Sequence, residues 1–333
     1  MVLTLEQIKQ MTHGTERIEE RDGMLRFFRF SALEEDAYSK HPRAAEFFKR
    51  TFDTTCVVWS FYTDSKSLSF DYKADKAGNH LFDLYENGAM TRHIVCDTKY
   101  QMSGRFCIPL SEGEKLVEFH FPRDTYLPIA NVALDDGASF KPAQRKYKML
   151  AYGDSITHGS SSAFHSYSYV SHLAQLLDAD VTNKGIGGDE YFPSLISEPL
   201  SVTPDWITVA YGTNDWKHCT PEQFRAKCEP FLTKLSALYS DKPIFVITPS
   251  WRADAEIETP FGAPAYTVDA FVREIAAPLA NVTVLSAWNL VPHVKDFFAD
   301  SRLHPNNMGF GIYSANLYKA ILPLLIKKIG YEI

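Results

Sequence analysis

Lys148-Met149-Leu150-Ala151-Tyr152-Gly153-Asp154-Ser155-Ile156-Thr157-His158-Gly159 runs from an apolar stretch into a glycine and then into small polar residues. An apolar run this short, ended by glycine, reads as a buried strand rather than a helix. Four more short runs follow the same grammar, at 180–183, 206–211, 243–248 and 282–285, with helix-length patterns between them. The clearest helix begins at Thr220-Pro221-Glu222-Gln223, which supplies an N-cap, a proline at the first helical position and the glutamine of a capping box. Phe224, Cys228, Phe231, Leu232 and Leu235 continue it at helical spacing. A last helix is expected over 309–326. Strands alternating with helices imply a parallel sheet covered on both faces.

Upstream the period changes to two. Leu68, Phe70, Tyr72 and Ala74 fall on one face of a strand. Residues 81–85 and 91–95 flank Glu86-Asn87-Gly88-Ala89, and Asn-Gly signals a hairpin because both residues tolerate positive φ. Residues 104–110 and 115–121 flank Ser111-Glu112-Gly113-Glu114, which predicts a second hairpin. Residues 24–30 read as another strand and 44–50 as a short helix. The expected architecture is an antiparallel, jelly-roll-like β-sandwich over 1–145 followed by an α/β domain over 146–333. The junction falls in the polar stretch 139–146.

A length of 333 residues agrees with two domains. The net charge of -7 provides no electrostatic attraction to nucleic acid or an anionic membrane. No run is read as having the ~18 to 20 apolar residues that span a bilayer. Met1-Val2-Leu3-Thr4-Leu5-Glu6-Gln7 lacks the basic head and apolar core of a signal peptide. Cys56, Cys96, Cys107, Cys219 and Cys228 are scattered and form no CxxC pair, so reduced thiols and a cytoplasmic location are expected. No cluster has metal-ligand spacing, so neither metal nor cofactor is expected. The aromatic share of 14% fits either large cores or a surface that stacks on sugar rings.

In an open α/β sheet the site lies at the carboxyl ends of the strands. The first strand ends in Gly153-Asp154-Ser155-Ile156-Thr157-His158-Gly159. The second ends in Asn183-Lys184-Gly185-Ile186-Gly187-Gly188-Asp189. The third ends in Gly212-Thr213-Asn214-Asp215. Asp300-Ser301-Arg302-Leu303-His304-Pro305-Asn306 precedes the last helix. A serine hydroxyl needs a base to become a nucleophile, and an imidazole titrates in the right range to be one. Asp154 is expected to hydrogen-bond loop backbone.

These four blocks, in this order, resemble those of the SGNH (GDSL-type) hydrolase superfamily over residues 147–330. The resemblance implies a flavodoxin-like three-layer α/β/α fold and an esterase acting through an acyl-serine. It also implies Ser155 as nucleophile, His304 as base, and an oxyanion hole formed by the Ser155 and Gly188 N–H groups and the Asn214 amide. The family carries its acid three residues before the histidine, where this chain has Ser301. Either the loop bulges so that Asp300 reaches His304, or a backbone carbonyl orients the imidazole in a Ser-His dyad. Trp216, and Trp251 with Arg252 after the fourth strand, are placed to wall the substrate pocket, the alternative being that the two tryptophans pack beneath loops, and residues 256–264 are either a lid or a connection. The Phe82-Asp83-Leu84-Tyr85 stretch is similar to the sandwich domain of a subset of these esterases. That similarity implies a sugar-ester substrate, with a structural or homo-oligomer-forming sandwich as the alternative. The expected activity is hydrolysis of small acyl, above all acetyl, esters of a carbohydrate or oligosaccharide. An acyltransferase and a degenerate carbohydrate-binding protein are the alternatives.

Overall fold

The computed structural model describes residues 1–332, so the last position of the expected 146–333 domain lies outside the described residues. Five strands form one parallel sheet, with Ala179–Gly185, Tyr147–Gly153, Trp206–Ala210, Ile244–Ile247 and Val282–Leu285 side by side. Numbered along the chain, that order is 2-1-3-4-5, the flavodoxin-like arrangement. Alternation along Tyr147–Gly153 divides the core in two. Leu150 and Tyr152 face a layer built on Pro221–Leu238 and Val268–Ala276. Met149 and Ala151 face Tyr169–Leu176 and Asn307–Ile329. Thr220 and Gln223 form the expected capping box, each accepting from the other's backbone N–H.

The helix Asn307–Ile329 meets the length and composition of a membrane span, with mean hydropathy 1.2. Its apolar residues are interrupted by polar ones, so no uninterrupted apolar run of that length is expected from the sequence. Here its Phe310, Tyr313, Leu317, Ile321 and Leu325 side chains are buried, as expected of a helix packed in a core.

Two antiparallel sheets make up the β-rich N-terminal part. One has six strands, including Val58–Thr63, Lys115–His120, Asn79–Glu86 and Ala89–Asp97. The other has five: Arg17–Arg21, Met24–Phe28, Ile129–Leu134, Ser67–Lys73 and Ser103–Pro109. Between them lies a ring-rich core holding Phe27, Trp59, Phe70, Phe82, Phe119 and Phe121. Asn87 (φ 52°) and Gly88 (φ 79°) turn the Asn-Gly hairpin.

The second expected hairpin is a correction. Ser103–Pro109 pairs with Ser67–Lys73 in one sheet, whereas Lys115–His120 pairs with Val58–Thr63 and Asn79–Glu86 in the other. The loop between them is a sandwich corner, held by Ser111, whose N–H and hydroxyl donate to Glu86 Oε1 at 2.7 and 2.8 Å. A polar Gly-containing loop specifies a reversal but not the sheet in which the next strand lands.

Residues 1–145 are also not a sandwich throughout. Ala32–Ser39, Ala44–Phe47 and Phe48–Phe52 are helical, and Phe30, Tyr38 and Phe47 belong to the same core as Leu150 and Tyr152. Their apolar faces leave the sandwich because the parallel sheet offers a surface to cover. Buried polar contacts reinforce this seam. Lys184 Nζ donates to Glu34 Oε2 at 2.6 Å with both side chains almost fully buried. Asp83 accepts the Ser166 N–H at 3.1 Å and Tyr85 donates to Ser166 Oγ at 2.9 Å. The Asp-Leu-Tyr stretch is thus one face of the junction.

Arg29, 0% exposed, lies at the centre of the seam. It donates to the Asp53 carboxylate, to the carbonyls of Asp53 (3.0 Å) and Arg50 (3.1 Å), and to the carbonyl of Asn183 at the end of the second parallel strand. Removing one partner of such a buried pair leaves an uncompensated charge, at about 3–5 kcal/mol. Arg29→Met is therefore expected to lower unfolding free energy by about that amount in urea titration. A loss below about 1 kcal/mol would mean that Arg29 does not hold the seam.

Candidate active site

The site is assembled from the carboxyl ends of three parallel strands and one loop. Gly153 ends the first strand, and a Cβ there would fall 2.0 Å from Thr157 Oγ1, so only glycine lets the following turn close. Asp154 Oδ1 then accepts the Ile156 N–H at 3.0 Å and caps the short helix Ser155–His158. Burial pushes the Asp154 carboxyl up to about 7, against that hydrogen bond and the nearby Arg252 charge. Ser155, the first residue of the helix, has its Oγ 2.8 Å from His304 Nε2.

His304 is held from behind. Its Nδ1 lies 2.8 Å from Asp300 Oδ2, so Nδ1–H donates there and leaves Nε2 to accept from Ser155. Asp300 Oδ1 accepts the N–H groups of Arg302, Leu303 and His304 at 3.0, 2.7 and 3.1 Å. Partial burial alone would raise this carboxyl. The Leu303 N–H, the His304 ring and the other backbone donors outweigh it and hold the group down to about 2. The extra residue in the loop is accommodated by Ser301, which adopts a left-handed φ of 53°. That one αL residue turns a four-residue spacing into the reach that three residues would give elsewhere.

The opposite wall is the loop after the second strand. Gly188 takes φ 83°, a conformation that glycine adopts without strain. The N-terminal segment holds the carbonyls of this loop: Arg43 donates to Gly188 O at 2.9 Å and Arg50 donates to Gly187 O. Asn214, on Thr213–His218, donates one amide hydrogen to Asp189 O at 2.8 Å. Ser155, Gly187, Gly188, Asn214 and His304 line one cleft of about 270 Å³, together with Glu46, Arg50, Lys217, Arg252 and Arg302.

The two tryptophans are not in that lining. Trp216 is 0% exposed, with Nε1 donating to Ala263 O at 2.7 Å and Arg252 4.5 Å above its ring. Trp251 stacks on His293 at 5.4 Å and packs on Phe298. They are packing residues, and Arg252, next in sequence to Trp251, reaches the cleft instead. Glu46, Arg50, Lys217 and Arg302 were not foreseen. Arg50 and Glu46 come from a segment more than a hundred residues before the glycines they face, and no local pattern announces such a pairing.

Two groups of potential metal ligands lie close together, Asp53 with Asp124 and His158, and Glu190 with Asp215 and Cys219. Protein side chains already engage both. Arg29 and His158 hold Asp53, and Lys227 donates to Glu190 and to Cys219. All five cysteines are free.

A hydroxyl, an imidazole and a carboxylate are thus joined in one hydrogen-bonded chain at the open edge of a flavodoxin-like 2-1-3-4-5 sheet, where such folds carry their sites. Residues 151–312 match the model of the GDSL-like lipase/acylhydrolase family. No curated protein matches the chain by sequence. Among solved structures, the chain is similar to the salicylyl-acyltransferase SsfX3 from a tetracycline biosynthetic pathway (22% identity, 96% of each chain, TM-score 0.78). It is also similar to a putative GDSL-like lipase from Bacteroides ovatus, with 16% identity, 100% of this chain, 99% of the other and TM-score 0.75. A family two carbohydrate esterase from Cellvibrio japonicus covers 98% of this chain and 97% of its own, with 16% identity and TM-score 0.65. At these identities the likeness is one of fold, and it spans both the β-rich and the α/β parts.

Asp189 gives the site a pH signature. Its carboxyl is buried, and burial pushes it up to about 7 although Tyr38 and Tyr211 donate to it at 2.7 and 3.3 Å. In the unfolded chain it would titrate near about 3.9. A raised folded value favours the folded state fully below pH ~4, and that contribution is lost as pH rises towards ~7. Asp189→Asn removes this titration, so its stability should fall less than that of the wild type between pH ~5 and ~8. Equal falls in parallel denaturation series would show that Asp189 does not couple folding to pH.

Proposed function

We propose that this protein is a serine esterase that cleaves small acyl esters, with acetyl groups on a carbohydrate as the substrate class. The observation that carries the reading is the hydrogen-bonded chain from Ser155 through His304 to Asp300 at the mouth of one cleft. Ser155 Oγ attacks the ester carbonyl while His304 Nε2 takes its proton. The carbonyl oxygen becomes an oxyanion facing the N–H groups of Ser155 and Gly188 and the second amide hydrogen of Asn214. One such donor contributes about 3–4 kcal/mol to the transition state. Collapse breaks the bond to the alkoxy oxygen, and His304 returns the proton to the leaving alcohol. Water, deprotonated by the same imidazole, then attacks the acyl-serine; the acyl carbon–Oγ bond breaks, the imidazolium returns its proton to Ser155 Oγ, and the acid is freed. Asp300 holds the ring in the tautomer that accepts at Nε2 and stabilises the imidazolium.

The carbohydrate part of the reading is supported by fold likeness to a carbohydrate esterase and by the β-rich domain. The likeness to an acyltransferase over 96% of the chain supports a second outcome of the same chemistry, in which an alcohol replaces water at the acyl-serine.

Ser155→Ala should lower release of phenol from an aryl acetate by at least about a thousandfold. Unchanged turnover would remove Ser155 as the nucleophile. Asp300→Ala should lower kcat by about a hundredfold or more. A loss under about tenfold would assign the orienting role elsewhere and leave a Ser-His dyad.

A further inference from the structure

The cleft beside Ser155 reverses the sign of the chain that carries it. The chain is acidic overall, at -7, yet Arg50, Lys217, Arg252 and Arg302 line the cleft and Glu46 is the carboxylate among its lining residues. The nearby carboxylates do not balance these cations. Glu46 is shared between Arg43, at 2.7 Å, and Arg50, at 3.6 Å. Asp254 is shared between Arg252, at 2.6 Å, and Arg302, at 3.0 Å. Asp300 is shared between His304, the N–H groups of its own loop and Arg302, at 3.8 Å, so these three carboxylates face five cations, Arg43 included. Lys217 is exposed and, among the described residues, has no carboxylate within 4.0 Å. Its neighbours His218 and Lys227 are both taken by Glu190.

The cations differ in availability. Arg252 is 1% exposed and gives its donors to Thr213 and Asp254. Arg302 keeps 40% of its side chain exposed. It stands two residues before His304 in the same loop and lines the same cleft as Ser155 and His304. Lys217 stands one turn beyond Asn214 on the helix Thr213–His218. No Phe, Tyr or Trp lines the cleft among the described residues, so it offers no flat apolar face to a neutral ring. Unbalanced cations in a concave site raise the local potential and concentrate anions there, and a guanidinium fork matches a carboxylate or phosphate.

We propose that the ester taken by this cleft carries an anionic group, a carboxylate or a phosphate, on its alcohol half, recognised by Arg302 and Lys217. This rests on the esterase reading above and narrows its substrate to acylated anionic alcohols, such as those of acidic or phosphorylated sugars.

Three matched aryl acetates test it on the full chain: meta-acetoxybenzoate, meta-acetoxyphenyl phosphate and the neutral meta-acetoxybenzamide. At low ionic strength, kcat/KM for the better anionic ester should exceed that for the neutral one by about tenfold, as expected of two partly exposed ion pairs. The ratio should fall towards one in about 0.5 M salt. Lys217→Glu and Arg302→Gln should each reduce the ratio severalfold, the former through KM. The ester with the larger ratio identifies carboxylate or phosphate as the anion. A ratio near one in the wild type, with the neutral ester turned over, overturns the proposal and leaves the esterase standing. If no ester is turned over, the esterase reading falls. Calorimetry with meta-hydroxybenzoate and meta-hydroxyphenyl phosphate then decides the cleft's selectivity. Binding that Lys217→Glu abolishes supports it, and absence of binding overturns it.

Discussion

A single buried guanidinium ties the two parts of this protein together. Arg29 leaves the sandwich strand Met24–Phe28 and enters a space with no water to solvate it. Its charge is met by Asp53, and its remaining donors are met by carbonyls from the N-terminal segment and from the end of a parallel strand. Asp53 in turn binds His158 Nε2 at 3.0 Å, on the helix that begins with Ser155. Burial would raise the Asp53 carboxyl, but the Arg29 and His158 charges bring it well below the usual carboxylate range. The helix that begins with Ser155 and the strand before the glycine loop are therefore positioned by the same ion. An isolated charge in that place would be untenable, so the strand end, the Asp53 turn and the helix must all be in place for any of them to be stable.

From that anchor the N-terminal segment continues along the site. Tyr38 reaches Asp189, Arg43 reaches Gly188 O, and Arg50 reaches Gly187 O. With their carbonyls held by Arg43 and Arg50, the loop's peptide groups are fixed in one orientation before any substrate arrives. Preorganised donors are what make an oxyanion site effective, because no reorganisation is left for the reaction itself. The β-rich part acts on the cleft through this segment of helical turns and not through its sheets.

What could be read from the sequence followed the range of the interactions. Strands such as 148–152 and 282–285 announce themselves by local apolar runs, and the Thr220 capping box is a contact between residues three apart. The four polar blocks are short, three at strand ends and the fourth in the loop before the last helix, so Ser155, Gly188, Asn214 and His304 are legible from local sequence and its family resemblance. The Asp300 spacing was ambiguous because the outcome depended on one dihedral. A serine at position 301 does not reveal that its φ will be positive. The corner at Ser111–Glu114 misled for a related reason: the loop chemistry of a hairpin and of a sheet-to-sheet crossing is the same. Trp216 and Trp251 are large and sit beside site residues in the chain, yet helix and loop direction turned them into the core and brought Arg252 to the cleft. Arg43 and Arg50 were invisible because their partners lie 145 and 137 residues away.

The grip of Arg43 and Arg50 on the glycine loop bears on how this protein can be divided. A gene cut near residue 146 would keep the serine, the amide and the histidine. It would also discard one wall of their cleft and leave two carbonyls turned towards solvent. The smallest portion able to hold the reacting geometry is therefore close to the whole chain. Grafting the sandwich from a homologue would have to carry residues 29–53 with it to preserve the cleft. Seen this way, the β-rich part is not cargo joined to a self-sufficient enzyme. It supplies part of the enzyme's interior.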